Sequence, residues 1–219
     1  MNEQERELLL GCANGLGISL PADQLHLLSI YLDELWQWNE KVNLTGLSSM
    51  HRIIRELLVD SLLPSPFLPE RGRLLDIGSG AGFPGIPLKI HKPGLEVHLI
   101  EANSRKASFL RHVIRTTKLT GIEVIRGRVE RAGKDLHPDG YHIITARALS
   151  PLPQCLSLCA PFLCSGGLIV TFQGSRFEKV LRESSGVIKA HGLSLHNSFP
   201  YTLPGIDTRR QLLIFKKQE

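Results

Sequence analysis

Leu25, Leu28, Leu32 and Leu35 recur at the 3.6-residue period of an amphipathic helix, and residues 1–60 read as helical throughout. Ser19 and Asp23 flank a Pro-Ala start and are the expected caps. The stretch "LLPSPFLPERG" (62–72) holds three prolines and reads as a linker. Beyond it the period changes. Short apolar runs at Arg73–Ile77, Glu96–Ile100, Glu123–Ile125, His142–Thr145 and Leu168–Phe172 are separated by helical stretches such as Asn103–Leu119 and Pro151–Leu163. Alternation of this kind predicts an α/β fold with a mostly parallel, doubly wound sheet covered by helices. The end differs: Leu193–Tyr201 and Arg210–Lys216 are joined through "TLPGID" with no helix between, which predicts a terminal antiparallel hairpin. The expected division is a helical extension with linker over 1–70 and an α/β domain over 71–219.

Composition narrows the class. With 42% hydrophobic and 21% charged residues, the 219-residue chain can bury a sizeable core. No apolar run approaches the roughly 18 residues of a membrane span. The N-terminal "MNEQERELLL" lacks the basic start of a signal peptide, so a cytoplasmic protein is expected. Cys12, Cys155, Cys159 and Cys164 are too few and too clustered for a disulfide scaffold, and their spacing is not that of a zinc site. They are expected to be packing residues. Nine histidines fall in no metal-binding pattern, so no metal is expected. Charge is uneven: residues 1–70 carry four Lys/Arg against ten Asp/Glu, and residues 71–219 carry 22 against 11. A basic C-terminal body fits a polyanionic partner.

The chemistry lies in "LLDIGSGAGFPG" (74–85), an apolar run ending in an aspartate and a glycine loop. A P-loop needs Lys and Ser/Thr after its last glycine, where this chain has Ile86 and Pro87. The dinucleotide pattern G-x-G-x-x-G is met literally by Gly80, Gly82 and Gly85, but the turn already begins at Gly78. Read from there, Gly78, Gly80 and Gly82 follow Leu74, Leu75, Asp76 and Ile77 in the pattern of the S-adenosylmethionine loop of class I methyltransferases, whose Rossmann-like seven-stranded sheet ends in such a hairpin. In that class Asp76 would lie near the amino acid end of the cofactor. Glu101, at the tip of the second strand, is placed to accept hydrogen bonds from the ribose hydroxyls, a role dehydrogenases share.

"DIGSGAGFPGIPL" (76–88) resembles the signature of the bacterial 16S rRNA guanine-N7 methyltransferase family RsmG, also called glucose-inhibited division protein B (GidB). "WNEKVNLT" (38–45), "DSL" (60–62), "RKASFL" (105–110), "RVE" (128–130), "TARALSPLP" (145–153) and "RRQLLIF" (209–215) fall in the family's order across nearly the whole chain. The resemblance implies that Gly78 and Phe83 touch the cofactor, that Val129 and Glu130 border its adenine, and that Arg147 stands at the mouth of the active site, near cofactor and substrate, as the catalytic candidate and a further cofactor contact. It implies direct methyl transfer to guanine 527 of 16S rRNA. The partner would be that RNA, the small ribosomal subunit or an assembly intermediate, with no obligate protein partner and no membrane.

Two positions depart from the family pattern. A histidine usually stands where this chain has Leu57, and Lys-Gly where it has Gln173-Gly174. Arg176 is the expected substitute for that lysine. Arg111, Arg115 and Lys118, spaced i, i+4, i+7 on one helix face, are the expected RNA-contacting stripe, with Arg176 and Arg210 as further contacts. Trp36 and Trp38 read as packing residues, with a base-stacking surface as the alternative. Three rival classes are a nicotinamide oxidoreductase, for which Tyr31, Tyr141 and Tyr201 each lack a lysine four residues on, a non-catalytic RNA-binding protein, against which the glycine loop and Glu101 speak, and a small-molecule methyltransferase, against which the basic body speaks.

Overall fold

A computed structural model describes residues 1–133 and 135–218. Seven strands form one sheet: β1 (Gly72–Ile77), β2 (Leu95–Glu101), β3 (Ile122–Arg126), β4 (Tyr141–Ala146), β5 (Leu163–Gln173), β6 (Leu193–Tyr201) and β7 (Arg210–Lys217). Their spatial order is β3-β2-β1-β4-β5-β7-β6. The first five pair in parallel, and β7 runs antiparallel to both β5 and β6. The expected parallel sheet with a terminal hairpin is therefore what forms. β5 begins five residues earlier than the apolar run suggests. Its pairing with β4 jumps from Tyr141–Leu163 to Ile143–Leu168 across a bulge. Gly166, at φ 71°, sits within that bulge and breaks the period-2 signal.

Strand residues alternate between two cores. Leu74, Val97, Leu99, Ile143, Val170, Leu212 and Ile214 face one side; Leu75, Ile77, Ile100, Ile144, Ile169, Leu213 and Phe215 face the other. Both faces are covered, as a parallel sheet requires. On the first side lie α1 (Glu3–Gly15), α2 (Ala22–Val42), α5 (Gly85–His91) and α6 (Ser104–Thr117). On the second lie α7 (Leu152–Cys159), α8 (Phe177–Glu183) and α9 (Ser185–Ala190).

The leucine stripe of α2 is fully buried and joins the same core as β1 and β2. Within the proline-rich segment, Leu62, Leu63 and Leu68 are buried in that core too. α2 starts after Pro21 with no side-chain cap, so Ser19 and Asp23 do not cap it; Asp23 lies in its first turn. At the other end Asn43 closes α2 in the left-handed region and accepts a hydrogen bond from the Gly46 amide at 3.0 Å. Trp38 packs on Phe109 with ring centroids 5.6 Å apart, in keeping with a packing role. A short α3 (Met50–Ile53) runs into a π-helical turn (Ile54–Val59) and then α4 (Asp60–Leu62). Among the described residues no helix is long and apolar enough to cross a membrane.

Candidate active site

β1 leads outward to β2 and β3, and the chain then returns to β4 on the other side of β1. This reversal leaves a crevice at the C-terminal ends of β1 and β4, the place where open α/β sheets bind ligands. The glycine loop borders it on one side and the segment from Arg147 to Ser150 on the other.

Gly78, Gly80 and Gly82 all have positive φ, at 72°, 57° and 102°. A Cβ at Gly78 would stand 2.8 Å from Leu149 Cδ1, and one at Gly82 would stand 2.5 Å from Ile86 Cδ1. The loop thus depends on glycine for both its turn and its close approach to neighbours. Its shape is pinned by hydrogen bonds. The Gly78 amide donates to the Ile100 carbonyl at 2.9 Å, and the Gly80 amide donates to Glu101 Oε2 at 2.8 Å. Glu101 Oε1 also accepts from the Asn103 amide at 2.7 Å. The acid at the β2 tip therefore reaches both the glycine loop and the start of α6.

Asp76 points from β1 into the first core and is buried. Its Oδ1 accepts from the Thr145 hydroxyl at 2.7 Å and its Oδ2 from the Gly85 amide at 3.2 Å. Burial raises its pKa from 3.8 to about 6, and these hydrogen bonds oppose the rise. Asp76 thus ties β1 to β4 and to the start of α5, with its carboxylate beneath the loop. Tyr31 supports the same loop from α2: its hydroxyl donates to the Ala81 carbonyl at 2.8 Å, and its ring lies 5.4 Å from that of Phe83. Phe83 is buried in the first core. Two supporting residues escaped the sequence reading. Tyr31 was hidden inside a leucine period. Gly85, where a Cβ would lie 2.3 Å from Leu99 Cδ2, looked like the third glycine of a dinucleotide motif.

Val129 and Glu130 sit in a 3-10 turn just past β3, on the same rim as Glu101. Val129 is buried in the second core and Glu130 is exposed. Arg147 follows β4 directly and is mostly covered. Its Nη1 donates to the Leu57 carbonyl at 3.3 Å, Nη2 donates to the Glu56 carbonyl, and Nη2 also lies 3.0 Å from Asp60 Oδ2. Its guanidinium stands 5.8 Å from the Phe172 ring centroid. The Leu57 departure is thereby accommodated, because the contact comes from the backbone of residue 57.

The expected RNA contacts fall into two separate groups. Arg176 is exposed at the start of α8, and Arg210 opens β7, where its Nη1 meets Asp60 Oδ1 at 3.3 Å. An open cavity of about 760 Å³ lies beside them, with Phe177, Tyr201, Arg209 and Gln211 in its walls. Arg111, Arg115 and Lys118 descend α6 away from the rim; at 1.5 Å per residue Lys118 lies about 20 Å below Ser104. Arg111 donates to the Val124 carbonyl at 3.3 Å, and Arg115 Nη2 is 3.1 Å from His112 Nδ1. Cys12, Cys155 and Cys159 are buried, Cys164 is partly so, and all four are free thiols. Among the described residues no group of three or more His, Cys, Asp or Glu side chains is placed to hold a metal ion.

A seven-stranded sheet of this order, with a glycine loop after β1 and an acid at the tip of β2, defines a class I methyltransferase. Solved structures of that class share the fold: M. jannaschii TYW2 in complex with AdoMet (TM-score 0.59, 17% identity, 72% of this chain and 74% of that one) and precorrin-6y C5,15-methyltransferase from Geobacter metallireducens (TM-score 0.52, 16%, 79% and 90%). The chain belongs to the GidB family, rRNA small subunit methyltransferase G, whose model matches residues 24–205. Its relatives include the ribosomal RNA small subunit methyltransferases G of Acetivibrio thermocellus (34% identical, 99% of this chain, 91% of that one) and Desulfitobacterium hafniense (36%, 97% and 90%). The match takes in α2 as well as most of the sheet.

Proposed function

We propose that this protein transfers a methyl group from S-adenosylmethionine to N7 of a guanine in 16S rRNA, acting in the cytoplasm on the small ribosomal subunit or its precursor. The observation that carries this reading is the family match, which extends over both the helical segment and the methyltransferase sheet. The site residues fit the cofactor. The loop offers glycine backbone and no Lys or Arg, suiting a ligand without phosphates. Gly78 is exposed and adopts φ 72°, where any side chain is strained. Glu101 is the acceptor for ribose hydroxyls, Gly78, Gly80, Gly82 and the Phe83 backbone line the cofactor's path, and Val129 and Glu130 border the adenine. Asp76 acts from beneath, by fixing the loop.

When bound, S-adenosylmethionine supplies a methyl on a sulfonium, which guanine N7 takes with its lone pair as the S–C bond breaks. N7 carries no proton, so this chain needs no general base, and its residues act by orientation. Arg147 orients the purine at the β4 end of the crevice. Exposed cations of the rim, Arg128 on the β3 side and Arg176 and Arg209 on the β5–β7 side, hold the flanking phosphates, and the α6 stripe extends that surface downward.

Mass spectrometry of 16S rRNA from a deletion strain tests the reading. One 7-methylguanosine should be missing and restored by the purified protein with S-adenosylmethionine. An unchanged methylation map would overturn the proposal.

A further inference from the structure

The cavity of about 760 Å³ beside Arg210 takes no part in holding the cofactor. It opens at the same end of the sheet as the crevice, because β5 ends there and the β6–β7 hairpin turns there. Its size is that of a pocket for a whole small molecule. Phe177, at the start of α8, and Pro200, near the end of β6, supply apolar walls. Among the described residues no other ring pairs with Phe177. Gln211 lines the cavity from β7 and is only 4% exposed. Its Nε2 donates to Ser198 Oγ at 2.6 Å, which fixes the amide. Its Oε1 accepts no hydrogen bond among the described residues, so a buried side chain keeps an open acceptor.

The lining selects among ligands. Glu178 and Gln211 Oε1 are both acceptors, and both disfavour an anion inside the cavity. They suit the amino edge of a nucleobase, whose face the Phe177 ring can cover. Arg209, exposed in the cavity wall, suits the phosphate that stays outside. We propose that the cavity receives an unpaired base of the rRNA next to the target guanine, stacked on Phe177 with its edge against Gln211. Single-stranded RNA is commonly held by splayed bases on aromatic side chains, with polar groups at their edges. The adjacent position follows from a shared wall. Tyr201 and Arg210 line the cavity, and both donate to Asp60 Oδ1, at 2.7 and 3.3 Å. Asp60 Oδ2 in turn stands 3.0 Å from Arg147 Nη2, so a single carboxylate separates the cavity from the β4 end of the crevice. This subsite rests on the rRNA methylation proposed above.

Phe177→Leu keeps the apolar bulk and removes the aromatic face. Its affinity for 16S rRNA should fall about fivefold or more, and Phe177→Tyr should stay within about twofold of the wild type. The slope of log affinity against log salt should match the wild type in both, since no phosphate contact is lost. S-adenosylmethionine affinity should also be unchanged. Wild-type RNA affinity in Phe177→Leu would overturn the subsite. So would a loss accompanied by a flatter salt slope or by weaker cofactor binding. The wild type supplies a second measurement that depends on no variant. In 16S rRNA ligated around a synthetic segment, the base on each side of the target guanine is removed in turn, leaving abasic ribose. One of the two removals should weaken binding about fivefold or more, and in Phe177→Leu that penalty should vanish. An undiminished penalty in the variant would overturn the subsite. A wild type that methylates no 16S rRNA overturns the functional reading and the subsite together. A wild type that does, yet binds both abasic RNAs as tightly as intact RNA, overturns the subsite alone.

Discussion

The Asp76 carboxylate accepts a 2.7 Å hydrogen bond from the Thr145 hydroxyl, joining the two strands between which the ligand crevice opens. Its burial has a consequence for pH. Ionising Asp76 is unfavourable in the fold, where its pKa is about 6, and ordinary in the unfolded chain, where it is 3.8. The folded state therefore holds the proton more tightly. No penalty exists below pH 3.8, and the full penalty of about 3 kcal/mol is in place above pH 6. The stability of the wild type relative to Asp76→Asn should fall as pH rises through this window. Urea unfolding at several pH values measures it; parallel curves for the two proteins would remove Asp76 as the cause.

Gly78→Val should abolish S-adenosylmethionine binding. The residue adopts φ 72°, where a branched side chain is strained, and its first carbon already meets Leu149. Calorimetry should give no heat with S-adenosylmethionine for a variant whose circular dichroism is native. Wild-type affinity in that variant would contradict the placement of the cofactor at this loop. Tight binding of NADH by the wild type, with none of S-adenosylmethionine, would reopen the oxidoreductase reading.

Glu101→Ala removes both the ribose acceptor and the partner of the Gly80 amide. The expected result is cofactor binding weakened about tenfold or more, with kcat largely regained at saturating S-adenosylmethionine. An unchanged KM for the cofactor would show that the carboxylate serves only as a brace between loop and helix.

The two basic groups can be separated by salt. Each lost phosphate contact flattens the slope of log affinity against log salt by roughly 0.7–0.9. Arg128, Arg176 and Arg209 changed to Glu should flatten it more than Arg111, Arg115 and Lys118 changed to Glu, because the latter run down α6 away from the crevice. Cofactor affinity should stay near wild type for both sets. The opposite ranking would move the RNA path onto the α6 flank.

How much of this was legible beforehand follows from the range of each signal. The strands, the terminal hairpin and the glycine loop are local. Side-chain alternation, helical period and the conformational freedom of glycine are written over a few residues each, so the sequence alone determined the sheet, its covering helices and the place of the crevice. Bulges and helix starts were less visible, as β5 and α2 demonstrate, because pairing and packing override local preference there. The support of the site was decided only in three dimensions. Asp60 stands in "LLVDSLL" as an ordinary polar break in an apolar run, and nothing near it in the chain announces Arg147, Tyr201 or Arg210. Tyr31 stands inside the leucine period of α2, and only the fold puts its hydroxyl on the Ala81 carbonyl. Such contacts join segments distant in sequence, and their chemistry depends on burial: a carboxylate becomes a fixed anchor for arginine only once packing has removed the water that would otherwise satisfy it.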